Sequence, residues 1–365
     1  MTELTKLSRS AVRVGRPLAW PVFDREGQLL LKQGHIIESQ AQLERLLDRG
    51  YHPPISEGGR HNAGDLAHNE KPRPLIEWPR LLERLEKALD AVAKRNAAQQ
   101  RLRDLAEHLE RLSQADADAS LALIHLYSGD ANALEQNLFC ALLCALMGRH
   151  LALAPEQINR LIAAALTAQL ALLPYQDKLN NLKTALTPEQ RAIIDKHPMR
   201  TVEALQTADI DDPLWLQIIL QAHASPELKS EPEVLLEARV LATCEAYTAL
   251  IGRRGYRERS QPGAALMTLQ QADQSVAQSD VVDALGELLG PFPPGCFVQL
   301  ANQEVALVTH QSKHRDQPRV QSLVAASGKA FFGSFVRDTR EDEFRPVRQV
   351  PPVSLTTINL PALWD

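Results

Sequence analysis

Apolar residues at helical spacing are the feature that most constrains how this chain folds. From residue 118 to 288 the sequence consists mainly of leucine and alanine segments that repeat every three or four residues. This is the period at which side chains share one face of an α-helix. With 365 residues, 44% of them hydrophobic, the chain can bury at least one sizeable core. The pattern predicts a mainly α fold built around an all-α domain.

A second helical region lies in front of this domain, between Trp78 and Leu112. Its apolar positions advance by three and four, as in a heptad seam. They are Leu82, Leu85, Leu89, Val92, Leu102, Leu105, Leu109 and Leu112. Asn96 and Gln99 interrupt the seam, so either one long helix has a polar layer or two helices meet there. The seam suits a signalling stalk or a dimer contact, and equally packing on the next domain.

Residues 16–60 predict a small N-terminal α/β module. Two β-type runs flank the segment from Asp24 to Gly27, which predicts a hairpin whose turn contains that glycine. Ser39 is the expected N-cap of a following helix, and Gly50 is its expected end.

The chain changes character again after residue 290. The segment PFPPGCFVQLANQEVALV alternates as strands do, around a turn at Asn302 and Gln303. β-type sequence continues to about residue 337, which predicts a C-terminal β appendage. The expected divisions are the N-terminal module (1–60), a linker (61–75), a helical stalk or heptad region (76–115), the helical domain (116–290), the β appendage (291–340) and a polar, Pro-rich tail (341–365).

Charge and composition exclude several classes of function. A formal net charge of -5 and a pI near 6.1 provide no basic field for a phosphate backbone, so nucleic acid is not an expected partner. We find no apolar run long enough to span a bilayer and no signal peptide, and we expect a cytoplasmic protein. The four cysteines form no CxxC pair and are expected to be reduced core thiols.

A histidine directly before a proline is the first candidate for chemistry. Pro198 disfavours the α conformation at His197, which predicts a helix break at this point. An imidazole fixed in this way suits a metal ligand, and it equally suits a buried histidine bonded to a carbonyl. The motif alone leaves both interpretations open.

Three segments, covering roughly half of the chain together with their surroundings, resemble the HD-GYP family. The segments are ALTPEQRAIIDKHP (185–198), ARVLATCEAYTALIGRRGYR (238–257) and FPPGCFVQLANQEVALV. Members of this family are bacterial phosphodiesterases that hydrolyse cyclic di-GMP at a metal centre in a helical bundle. The front module also resembles small domains that precede some members. The resemblance implies an HD-domain-like bundle for residues 116–290.

The resemblance also implies a set of metal ligands, most of which are replaced in this chain. Ala168 and Gln169 stand at the family's histidine-aspartate pair. Further replacements are Gln136 for a histidine, Leu172 for a phosphate-binding lysine, Ala222 for one of two adjacent histidines and Glu245 for an aspartate, and the Gly-Tyr-Pro loop is absent. His197, His223 and Glu245 are the remaining candidate ligands, expected to be vestigial. No catalytic residue and no cofactor is expected, beyond at most one weakly bound iron or manganese ion.

A second element that the resemblance implies is better preserved. Arg254, Tyr256 and Arg257 match a family element that approaches the dinucleotide phosphates. A guanidinium can bind phosphate without any metal. These three residues are therefore the candidate ligand-binding set, with pairing of the arginines to nearby acidic groups as the structural alternative.

Our leading hypothesis is a catalytically inactive HD-GYP-like signalling or scaffold protein of a bacterium. It would act through a partner protein or self-association, in connection with cyclic di-GMP signalling. One alternative is an active metal-dependent phosphodiesterase or phosphohydrolase rebuilt on the remaining ligands. The other is a receptor that binds cyclic di-GMP without cleaving it.

Overall fold

The computed structural model describes most of the chain. The described residues are 4–7, 9, 12–14, 16, 18, 20–53, 72–128, 132–184, 186–223, 234–253, 257–272, 276–353 and 360–364, with the backbone alone for 276–278. The expected linker lies almost entirely outside them. The described part is mainly helical, with a small sheet near each end, so the predicted fold class is confirmed.

The N-terminal module contains the predicted hairpin and helix. Strands β2 (Val22–Phe23) and β3 (Leu29–Leu31) pair antiparallel, and the Asp24 carboxylate accepts hydrogen bonds from two turn amides. Helix α1 (Gln40–Arg49) begins at Ser39, whose hydroxyl accepts from the Gln42 amide, and its end at Gly50 is confirmed. Strands β1 (Thr5–Lys6) and β4 (Tyr51–His52) complete a sheet of order β1-β4-β2-β3.

The central domain is a bundle of helices packed around α5. The helices are α2 (Pro74–Lys94), α3 (Ala98–Ala115), α4 (Ala117–Tyr127), α5 (Ala133–His150), α6 (Pro155–Thr167), α7 (Leu173–Asn180), α8 (Pro188–Thr207), α9 (Pro213–Ala222), α10 (Leu236–Ile251), α11 (Pro262–Gln271) and α12 (Val276–Leu289), with a 3-10 turn at Leu170–Leu172. Helix α5 contacts α2, α3, α6 and α10. All four cysteines are buried free thiols, as expected.

The heptad seam belongs to two helices that pack inside the molecule. Arg95 and Ala97, both with positive φ angles, separate α2 from α3. The seam leucines Leu85, Leu102 and Leu105 are fully buried and share one core with α5 and α6. The sequence left open whether this region is one long helix or two. The structure has two helices, and they pack on the helical domain. A dimer contact through this seam would require the core to open.

The C-terminal appendage is a five-stranded antiparallel sheet of order β8-β7-β6-β5-β9. Its strands are β5 (Phe297–Leu300), β6 (Val305–His310), β7 (Arg319–Val324), β8 (Ala330–Arg337) and β9 (Pro346–Val350). The predicted turn contains Gln303 at φ 72. The expectation of a polar tail after residue 340 was wrong for β9, because the otherwise open edge of β5 has backbone groups that need partners.

A buried polar contact joins this sheet to the helices. His125 donates through Nδ1 to the Pro294 carbonyl at 2.7 Å, and its Nε2 lies 2.9 Å from the Tyr247 hydroxyl. Next to it, Gly295 has a φ of +86, and a Cβ there would lie 2.6 Å from Ala122 Cα. Glycine is required at this position because only a residue without a side chain permits both the conformation and the close approach.

One helical stretch, Pro155–Asn180, has the length and composition to cross a membrane, contrary to the expectation that no segment does. Its apolar residues Leu161, Ile162 and Leu166 are fully buried and belong to the main core. In this structure the stretch is a core element of the helical domain.

Candidate functional site

Helices α5 to α10 surround a cavity of about 490 Å³. It is lined by side chains from positions that the family resemblance singled out, far apart in sequence. These are Gln136, Gln169, His197, Ala222, His223 and Glu245. The structure therefore brings these six positions together in one place.

His197 lies within helix α8, and the expectation of a helix break was wrong. Proline has no N–H, so the Ile194 carbonyl loses the donor that residue 198 would provide. The Nδ1–H of His197 donates to this carbonyl instead. The imidazole thereby satisfies the acceptor that Pro198 leaves open, and α8 continues to Thr207.

This hydrogen bond also determines which nitrogen of His197 carries the proton. Since Nδ1 carries the proton, Nε2 is an acceptor, and it is buried without a hydrogen-bond partner among the described residues. Burial is the main reason that the pKa of His197 lies below its ordinary value. The ring is therefore neutral at pH 7, with its lone pair on the buried Nε2.

The start of α8 depends on a capping box between Thr187 and Gln190, a Thr-Pro-Glu-Gln sequence typical of helix starts. We expect Thr187→Ala to lower the free energy of unfolding by about 1 kcal/mol, because an amide in the first turn loses its acceptor. Urea denaturation followed by circular dichroism measures this. Thr207→Ala, at the exposed end of the same helix, is the control and should change it by less than about 0.5 kcal/mol. Equal effects of the two changes would contradict this role of the cap.

Gln169, His223 and Glu245 form a closed cluster beside His197. His223 donates through Nδ1 to the Ile219 carbonyl, and its Nε2 lies 2.9 Å from Glu245 Oε2 and 3.2 Å from Gln169 Nε2. The Gln169 amide also donates to Glu245 Oε1 at 2.8 Å. A protonated His223 donates to the carboxylate, and a neutral one accepts from the amide. Only the protonated form pairs with the carboxylate, because a neutral His223 would direct the Nε2 lone pair at Glu245 Oε2.

The carboxylate of this cluster is ionised despite its burial. Burial is the largest single influence on the pKa of Glu245 and acts to raise it. The positive charge and hydrogen bond of His223, together with the hydrogen bond from Gln169, outweigh that effect and hold the pKa below its ordinary value. The charge of Glu245 is therefore neutralised by neighbouring side chains of the chain itself.

The cluster does not fit the two-metal centre that the family resemblance implies. Gln169 stands where the bridging carboxylate is expected and directs N–H donors, with no anionic oxygen, at the other two members. Among the residues that the structure describes, no three His, Cys, Asp or Glu side chains are placed to hold a metal ion. The vestigial ligand role of His197, His223 and Glu245 stays a prediction.

The predicted ligand-binding set is only partly described. Arg254 and Tyr256 lie outside the described residues. The guanidinium of Arg257 donates to the carbonyls of Ala249 and Leu250 and to the Ser260 hydroxyl. It satisfies carbonyls at the C-terminal end of α10, where a cation is favourable. These hydrogen bonds use three of the five N–H donors of the guanidinium and direct it towards α10.

A buried ion-pair cluster that was not predicted from the sequence lies next to the cavity. Arg13 and Arg16 of the N-terminal module both pair with Glu135, whose side chain is fully buried at the start of α5. Gln136 and Asn137, which follow it directly, line the cavity. The capping box of Asn132 and Glu135 was readable from the sequence, but the pairing with residues more than 110 positions away was not.

Comparisons with known proteins agree with this architecture. The family model of the HD domain matches residues 69–279, more than half of the chain. The cyclic di-GMP phosphodiesterase PdeB of Borreliella burgdorferi is 21% identical over 173 residues, 46% of this chain and 46% of that protein. The chain thus matches about half the length of this curated relative.

A solved structure shows the same fold. Bd1817, an HDG"Y"P protein from Bdellovibrio bacteriovorus, superposes with a TM-score of 0.55 at 17% identity. The superposition covers 79% of this chain and 99% of that one. The chain belongs to the HD domain family, and it resembles a cyclic di-GMP phosphodiesterase in sequence and an HDG"Y"P protein in fold.

Proposed function

We propose that this chain is a catalytically inactive HD-GYP-like protein that acts in signalling by contact with a partner protein. Its similarity to a cyclic di-GMP phosphodiesterase supports a connection with cyclic di-GMP signalling. The proposal concerns the loss of hydrolysis and the use of the fold as a scaffold. The observation that carries it is the hydrogen bond from the Gln169 amide to Glu245 at 2.8 Å.

Metal-dependent phosphodiester cleavage needs ions that activate a water and stabilise the developing charge. Two adjacent dications need anionic oxygen between them, and the neutral Gln169 provides none. Ala168, at the adjacent family position, has no side-chain lone pair at all. The same changes argue against the alternative of an enzyme rebuilt on His197, His223 and Glu245.

The N-terminal module is the surface that we propose for the partner. The apolar residues of the heptad seam are buried in the core, so the seam is a poor candidate for the partner-binding surface. On the N-terminal module, β3 is an edge strand, and its residues Leu29 and Leu30 are 44% and 40% exposed. An edge strand with exposed leucines suits contact with another protein, which includes a second copy of this chain.

A metal and activity assay tests the proposal. We expect purified protein, incubated with Mn²⁺ or Fe²⁺ and then dialysed, to retain far less than one equivalent of metal by elemental analysis. We expect no cleavage of cyclic di-GMP by chromatography. A related active phosphodiesterase treated in parallel is the positive control. About two equivalents of metal together with turnover would overturn the proposal.

A further inference from the structure

Strand β8 of the C-terminal sheet is an edge strand that carries exposed aromatic side chains. Among the described residues it pairs only with β7, so its other edge has no partner strand. None of its eight residues is buried. Phe332 is fully exposed, and Phe335 and Val336 are 46% and 67% exposed. Neighbouring large apolar side chains at this exposure are typical of a surface that another molecule covers.

A bulge in β8 presents Phe332 to the solvent. In the ladder with β7, residues 331–334 lie opposite Leu323 alone. Gly333 has a φ of 104, a conformation that favours glycine. A bulge of this kind re-aims side chains and interrupts the edge of backbone hydrogen-bonding groups. Addition of a further strand along the whole of β8 is therefore disfavoured, and a partner contacts this edge through side chains.

The aromatic surface is ordered by its own neighbours. Arg337 pairs with Glu304 through two hydrogen bonds of 2.8 Å. Its guanidinium carbon lies 5.6 Å from the centroid of the Phe335 ring and 4.9 Å from that of Phe344. Phe331 meets Phe335 edge to face, with the ring centroids 4.9 Å apart. Side chains that are ordered before association lose little entropy on binding, so this surface suits a specific contact.

The charges at the two ends of β8 have opposite signs. In the turn before the strand, residues 325–329, the exposed Lys329 is the only charged residue. After the strand, segment 338–345 has four acidic residues against two arginines, and the acidic residues at 341–343 are exposed. A two-fold axis through the middle of β8 places the positive end of one copy against the negative end of the other. The acidic end also disfavours contact with an anionic membrane.

We propose that two copies of this chain associate through β8, with the two strands antiparallel about a two-fold axis and Phe332 at the centre of the contact. The contact uses the same surface on both copies, so it closes at a dimer. This inference goes beyond the proposed function, in which a partner protein binds β3 of the N-terminal module. The two fail separately, because substitutions in β8 leave β3 and the helical domain unchanged.

Sedimentation-velocity ultracentrifugation of the full chain tests the proposal. We expect a dimer at about 50 µM protein. We expect Phe332→Asp to weaken dimerisation at least about a hundredfold, because a carboxylate would lose its hydration at the centre of the contact. Val347→Asp is the control, since Val347 is 55% exposed on β9 at the other edge of the sheet, and it should leave the dimer intact. A monomer at about 50 µM, or a dimer that Phe332→Asp does not weaken, would overturn the proposal.

A charge exchange tests the antiparallel arrangement. We expect Lys329→Glu to weaken dimerisation about tenfold, because it places acidic residues of the two copies together. Lys329→Glu combined with Glu341→Lys should recover most of the lost affinity. Loss without recovery would contradict the arrangement.

Cosedimentation with phosphatidylglycerol vesicles tests the other occupant of this surface. We expect no binding of the chain to the vesicles. A monomer that binds them, and that no longer does so as Phe332→Asp, would overturn the proposal in favour of membrane contact.

Discussion

Replacing Glu135 by glutamine is expected to lower the free energy of unfolding by about 3–5 kcal/mol and to release the N-terminal module from the helical domain. The Glu135 side chain has no exposed surface and pairs with Arg13 and Arg16. Arg16 also lies 4.2 Å over the Tyr127 ring. Without the carboxylate, two neighbouring cations remain at a desolvated interface. Glutamine retains the capping box, so the substitution isolates the charge.

Urea denaturation followed by circular dichroism measures this loss, and limited proteolysis detects release of the module. Glu44→Gln is the matched control, because Glu44 pairs with Arg9 at an exposed position. That substitution should cost less than about 1 kcal/mol. If Glu135→Gln has an effect no larger than Glu44→Gln, the buried ion pairs do not hold the module in place.

Acidification is expected to remove about 3 kcal/mol of stability through His125. Burial lowers the pKa of His125 from 6.5 to about 4, against the opposing effect of its hydrogen bond to the Pro294 carbonyl. Below pH 6.5 the unfolded chain binds a proton at this residue, and the folded chain does not do so until about pH 4. Stability therefore falls as the pH decreases through this window. The lowered pKa values of His52 and His197 act in the same direction.

Urea midpoints at pH steps between 7 and 4 measure this dependence. We expect His125→Asn, whose amide can still donate to the Pro294 carbonyl, to be less stable at pH 7 and to lose less stability on acidification. His150→Gln, a partly exposed histidine near Glu287, should retain the full dependence. If His125→Asn does not fold, the NMR titration of His125 replaces it. A titration midpoint near 6.5 in the folded protein would contradict the assignment.

Local signals in the sequence were sufficient to predict the helices and strands and most of the residues at which they end. The caps at Ser39 and Thr187 were predictable because each depends on a side chain and an amide three residues away. The prediction of a helix break at His197 was wrong, and the reason is also local. The rule for residues before proline does not include the possibility that the histidine itself satisfies the carbonyl that proline leaves open.

The sequence by itself determined the helical class and the identity of the side chains at the positions that the family resemblance singled out, since periodicity and residue type are local properties of the chain. Only the tertiary structure decided that the Gln169 amide bonds to Glu245, that Asn137, Gln176 and His197 line one cavity, and that Glu135 pairs with Arg13 and Arg16. The physical reason is that each of these contacts joins helices or modules distant in sequence. Their distances and burial depend on how the helices pack, which no local pattern encodes.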